Sequence, residues 1–141
     1  MASPAQPRSL RIVAALALAW NLVGLAMFFM QVTLTPQDLA AMPEGQRAVY
    51  EATPAVLNVV FGVAVLAGLL GAVGLWLRKR WSVPLFLVSL LAVVVQMTLA
   101  YTMTPAWRVL GPAGAVLPAL LVVVACALWW YARRAAGRGW L

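Results

Sequence analysis

Few side chains in this sequence can do chemistry, and the best placed of them are neutral. Three amides, Asn21, Asn58 and Gln96, lie within long runs free of charge. An amide donates and accepts hydrogen bonds, and in hydrocarbon it must find its partners inside the protein. Ser82, Ser89 and Gln96 recur at a seven-residue spacing. On a straight helix that step drifts by only about 20°, so the three share one face. Asn21, Phe28 and Thr35 repeat the spacing earlier in the chain, with Gly24 close to Asn21. Such faces turn toward neighbouring helices rather than toward lipid. Convergence of Asn21, Asn58 and Gln96, with Ser89 nearby and Trp20 or Phe28 as an aromatic face, would suit a hydroxyl-rich, uncharged small molecule. The competing reading is packing. An interhelical amide ties two helices together with about 0.6–2 kcal/mol and needs no ligand to do so.

The remaining inventory excludes more than it supplies. The chain has no histidine, one cysteine and three carboxylates. That leaves no Ser-His-Asp triad, no histidine metal site and no internal disulfide. No cofactor, no metal and no enzymatic activity are expected. The three acids, Asp38, Glu44 and Glu51, fall in one segment, where they read as an outer binding rim or as solvated loop charges. No ionisable residue sits in the middle of an apolar run, which weighs against a proton-coupled exchanger. Cys126 lies within such a run and reads as a small core hydrophobe.

These residues must be positioned by membrane helices. Of the 141 residues 65% are hydrophobic and 9% charged, against about 25% charged in soluble domains. The uncharged runs 12–37, 52–77, 81–107 and 109–132 each exceed the roughly 20 residues that span a bilayer. Trimmed at polar and helix-breaking residues, they predict helices near 10–32, 54–77, 82–103 and 112–132. The expected fold class is all-α: a polytopic membrane protein, one four-transmembrane-helix bundle over 1–141, with a short helical outer loop at 33–53. Pro84 and Pro118 are expected to kink their helices unless neighbours satisfy the freed carbonyls. The first apolar region runs to about Met30, longer than the 7–15 residues of a signal peptide, so it is expected to remain as a span.

Charge sets the expected orientation. The formal net charge is +7. Arg8 and Arg11, then Arg78, Lys79 and Arg80, then Arg133, Arg134 and Arg138 all fall on one side of the spans, and only Arg47 and Arg108 on the other. By the positive-inside rule both termini are cytoplasmic, in an inner membrane. Short clusters between long uncharged runs are not a nucleic-acid-binding stripe, so no nucleic acid is expected as a partner. Trp76, Trp81, Trp129, Trp130 and Tyr131 mark the inner interface, and Tyr50, Tyr101 and Trp107 the outer one. Trp20 is placed deep in the bilayer instead.

Two local patterns add detail. Thr35-Pro36-Gln37-Asp38 reads as a helix start, with Thr35 as N-cap and Asp38 three residues on. A short helix then ends near Met42-Pro43, and a second covers 44–51. In the second span Ala64, Gly68 and Ala72 form a ladder of small residues with Gly71 alongside. With Gly24 on the first span they allow close helix packing.

Taken together, Trp20-Asn21-x-x-Gly24, Gln31, the Ala41-Met42-Pro43 loop, Pro54, Gly68-x-x-Gly71, Arg78-Lys79-Arg80-Trp81, Ser89-Leu90-Leu91 and Gln96 resemble a small bacterial four-helix inner-membrane family. Its members are often labelled "sugar transporter". The resemblance implies the four-helix topology and transport of a sugar-like, neutral polar solute. It departs at Val56, where an aromatic two residues after the loop proline is expected. Four helices leave little room for a path, so a carrier of this size implies a homo-oligomer in the lipid bilayer. The alternative function is a non-transporting accessory or scaffold protein that acts through helix packing.

Overall fold

Long apolar runs in hydrocarbon leave the backbone no water to bond, so they close their hydrogen bonds internally as helices. The computed structural model describes residues 8–141, and Leu110, Ala113 and Ala115 by backbone alone. The described residues form seven α-helices and one 3₁₀ turn joined by short loops, with no strand among them. They are α1 (Arg8–Val32), α2 (Pro36–Ala41), α3 (Glu44–Ala52), α4 (Ala55–Trp76), α5 (Ser82–Met103), α6 (Ala106–Leu110) and α7 (Val116–Gly137), with the 3₁₀ turn at Pro112–Ala115. Four of these, α1, α4, α5 and α7, are long and apolar enough to cross a membrane. At 22 residues, α4, α5 and α7 each reach about 33 Å, the thickness of a hydrocarbon core.

The small residues of α4 make it the most buried of the four. It packs along both α5 and α1, and α5 also packs against α7. The four therefore follow an open arc, α1–α4–α5–α7. The two outer helices of that arc come together at one end, around a cluster of Leu10, Ala14 and Ala17 from α1, Ala72 and Leu75 from α4, Phe86 from α5, and Ala132 and Ala135 from α7. Ser9 Oγ and Tyr131 Oη meet at 3.2 Å beside it. Eight of the ten cations lie at this basic end.

Two helix ends are tied together there. α4 stops on Arg78, whose φ of 60° is left-handed. The Lys79 N–H donates to Gly74 O at 2.7 Å and the Arg78 N–H to Leu75 O at 3.2 Å, which satisfies the last helical carbonyls. A left-handed non-glycine residue costs about 1–2 kcal/mol. The bond from Arg78 Nε to Trp140 O at 2.9 Å offsets part of it. α7 stops the same way on Gly139, with Trp140 N–H on Ala135 O at 2.9 Å and Gly139 N–H on Ala136 O at 3.2 Å.

Several expectations are corrected by these elements. Pro84 and Pro118 each fall in the first turn of a helix, where amides have no intrahelical acceptor, so neither removes a hydrogen bond from a helix interior. The last span is not 112–132: its α-helix begins at Val116 after the 3₁₀ turn and runs on to Gly137. Helix α6, between Pro105 and Gly111, was not expected. Cys126 is exposed rather than buried in the core, because α7 packs mainly on α5 and turns its other sides outward. The expected loop helices are present as α2 and α3.

Candidate solute-binding recess between the four spanning helices

The recess starts from a missing side chain. Gly68 on α4 faces α1 and α5, and a Cβ there would collide with Asn21 Oδ1 and come within 3.1 Å of Ser89 Oγ. Only glycine leaves room for the amide. Asn21, 8% exposed, turns its Nδ2 back to Ala17 O at 2.8 Å. Ser89 donates its hydroxyl to Ala64 O at 2.7 Å, tying α5 to α4. No protein donor reaches Asn21 Oδ1 among the described residues. Gln96, about 10 Å further along α5 than Ser89, is half-buried with its amide likewise unpaired among the described residues.

Trp20, Asn21, Ser89 and Gln96 thus line one recess of about 80 Å³ with Gly24, Phe61, Ala64, Gly68 and Phe86, and α7 closes it with Leu121, Val124, Ala125 and Leu128. All four spanning helices contribute and every lining residue is uncharged. Phe86 belongs both to the recess and to the packed cluster at the basic end, so it forms the floor between them.

Two expected members lie elsewhere. Asn58 does not reach the recess: its Oδ1 accepts from Gln31 Nε2 at 2.8 Å, and the pair ties α1 to α4 nearer the loop end. Tyr50 Oη donates to Gln31 O at 3.4 Å and brings α3 onto the same spot. Phe28 packs onto Gly62, whose Cβ position lies 3.2 Å from its ring, and meets Phe61 edge-on at 5.5 Å between centroids. Phe61, not singled out from the sequence, is the aromatic of that pair that faces the recess. The packing residues Gly24, Ala64, Gly68, Gly71 and Ala72 all work inside the bundle. A Cβ added at Gly24 would lie 3.6 Å from Val65 and one at Gly71 3.0 Å from Phe86, while Ala64 and Ala72 are buried.

The expected rim is a structural device in part. Asp38 accepts from Thr35 N at 3.0 Å, and Thr35 Oγ1 accepts from Asp38 N at 3.2 Å. The Thr35 backbone N–H, with its hydroxyl, holds the Asp38 carboxyl below the usual aspartate range. Glu44 and Glu51 are exposed, and no group of three metal-ligating side chains occurs among the described residues. Arg47 does unexpected work. Its guanidinium donates to Leu39 O at 2.8 Å, Ala40 O at 3.0 Å and Met42 O at 3.1 Å, capping α2 from α3. A lone cation just after a helix end is the signal that could have found it.

At the basic end three tryptophans carry cations. Arg133 lies 5.0 Å from the Trp129 ring, Arg134 5.2 Å from Trp130 and Arg138 5.5 Å from Trp140. Such pairs keep the cation at the rim of the apolar slab while its stem covers aromatic surface. No family model, no curated protein and no solved structure matches this chain.

Proposed function

We propose that the chain is an integral membrane protein of the bacterial inner membrane, with both termini cytoplasmic, that binds and carries a small uncharged solute in the recess. The observation that carries this reading is the state of Asn21 and Gln96. The Oδ1 of Asn21 and the amide of Gln96, from different helices, line one cavity without a protein partner among the described residues, and a polar group left unpaired in an apolar interior costs about 1–3 kcal/mol. A solute's hydrogen-bonding groups, or water in its absence, would repay that cost. The wholly neutral lining supports an uncharged ligand and offers no side chain to carry a proton.

The clustered cations support a cytoplasmic basic end. The packed cluster over Phe86 would then be the inner barrier, and transport requires it to loosen. A homo-oligomer would supply the surfaces against which helices move. In the alternative, accessory-protein reading the small-residue faces of α4 would be packing devices, and they pack within the bundle.

The test is uptake in proteoliposomes containing the full chain, with a panel of neutral solutes from polyols and sugars to short alcohols and amides. Asn21→Ala and Gln96→Ala should each lower uptake about tenfold, the value of one lost hydrogen bond. Asn58→Ala should leave uptake unchanged. Uptake insensitive to all three would sink the site, and a stoichiometric partner copurifying from native membranes would sink the carrier reading.

A further inference from the structure

The recess is small. Its roughly 80 Å³ compares with about 150 Å³ for a cavity that admits a benzene ring. A sugar ring is bulkier than benzene and carries several hydroxyls. The lining residues with polar side-chain atoms are Trp20, Asn21, Gln96 and Ser89, whose hydroxyl is already engaged. Each buried hydroxyl left over weakens binding. A whole sugar is therefore too large and too polar for this recess, whereas one hydroxyl or carbonyl fits it.

The recess has a neighbour. Along the seam where α1 and α7 stay apart runs an apolar groove of about 480 Å³, lined by Val13, Leu16, Ala17 and Val23 among others. Trp20, Val124 and Leu128 line both the groove and the recess. At the basic end the seam is shut by Leu10, Ala14, Ala132 and Ala135. A small neutral polar recess thus adjoins a larger apolar groove on the side of the bundle that would face lipid, with Trp20 standing between them.

Resting on the reading of the recess as a ligand site, we infer that the ligand is a neutral amphiphile taken from the bilayer through the α1–α7 seam. Its single hydroxyl or carbonyl bonds Asn21 or Gln96, and its hydrocarbon lies in the groove past Trp20. The hydrocarbon chain never leaves an apolar medium along this route, so access needs no aqueous path.

The experiment uses the full chain in lipid nanodiscs and a decanol carrying a diazirine beside its hydroxyl. After photolysis, labelled residues are mapped by mass spectrometry. The expected result is labelling at Trp20, Asn21 and Gln96 about tenfold above that at lipid-facing Leu91, competed by 1-decanol and not by glucose. Asn21→Leu combined with Gln96→Leu should bring the recess signal down to the Leu91 level. Competition by glucose alone would overturn the bilayer route while keeping the recess as a solute site. Recess labelling equal to Leu91, with neither competitor acting, would overturn both. A disulfide formed on oxidation between two copies of a Leu16→Cys variant would place a second copy in the groove and overturn the inference as well.

Discussion

Gln31 Nε2 donates to Asn58 Oδ1 at 2.8 Å and ties α1 to α4. Asn21 and Gln96, on α1 and α5, face a shared recess and bond no other side chain among the described residues. The four side chains are chemically alike, and all sit in apolar helices. What separates them is what stands opposite. Asn58 meets another amide at its own depth, within reach of Tyr50. Asn21 meets Gly68, which supplies space and no partner. One pair acts as a tie between helices, and the other lines a recess, which is where the proposed ligand would bind. An amide inside a membrane is thus not a functional residue by type. What distinguishes Asn21 is that the residue across from it is a glycine, which leaves its Oδ1 without a side-chain partner among the described residues.

The largest effect should come from filling that space. Gly68→Val would drive a branched side chain into the Asn21 amide and the Ser89 hydroxyl, an overpacking that costs about 1–3 kcal/mol. Unfolding of the purified variant should show that loss, and solute binding should vanish with it. Wild-type binding in Gly68→Val would mean the recess is not the site.

The amides themselves should split next. Asn58→Leu leaves Gln31 Nε2 without its acceptor and should destabilise by about 1–2 kcal/mol, with binding changed less than about twofold. Asn21→Leu gives up only a bond to a carbonyl within its own helix. It should change stability by under about 0.5 kcal/mol and weaken binding about tenfold. If both variants lost stability equally and neither lost binding, the distinction between the two pairs would collapse.

The smallest effect concerns the loop over the Gln31 pair. The folded Asp38 carboxyl titrates below its ordinary value of 3.8 because the Thr35 N–H and hydroxyl favour its charged form. A lowered folded pKa means the cap contributes above the unfolded value and is lost as pH falls through the folded one. Protection of the Thr35 amide, its exchange rate relative to that of the unfolded chain at the same pH, should therefore hold at neutral pH and fall only below about pH 4. Asp38→Asn should remove most of that pH dependence without altering solute binding.

Much of the frame was legible in the sequence, because its few charges are placed at helix ends. The runs between Arg11, Arg47, Arg78 and Arg108 foretold the spans, and Thr35-Pro36-Gln37-Asp38 foretold the cap. The seven-residue step correctly put Ser89 and Gln96 on one face. Which amides would meet was not read, although depth along each helix held the answer. Asn21 lies eleven residues before the end of α1, about 16 Å, while Asn58 is three residues into α4, about 5 Å. They were never level, whereas Gln31 and Asn58 are. The facing of α7 was not legible at all. Its apolar run is uniform, so nothing marked Cys126 as outward or the α1–α7 seam as open. Helix α6 is too short, between Pro105 and Gly111, to leave a periodic signal.

The most direct test of the central claim is a pair of double-mutant cycles on the unfolding free energy of the reconstituted protein. One couples Gln31→Leu with Asn58→Leu, and the other Asn21→Leu with Gln96→Leu. The account predicts a coupling of about 0.6–1.7 kcal/mol for the first pair and none outside error for the second. A coupling of similar size between Asn21 and Gln96 would contradict it, because the recess would then be a dry packing network closed on itself.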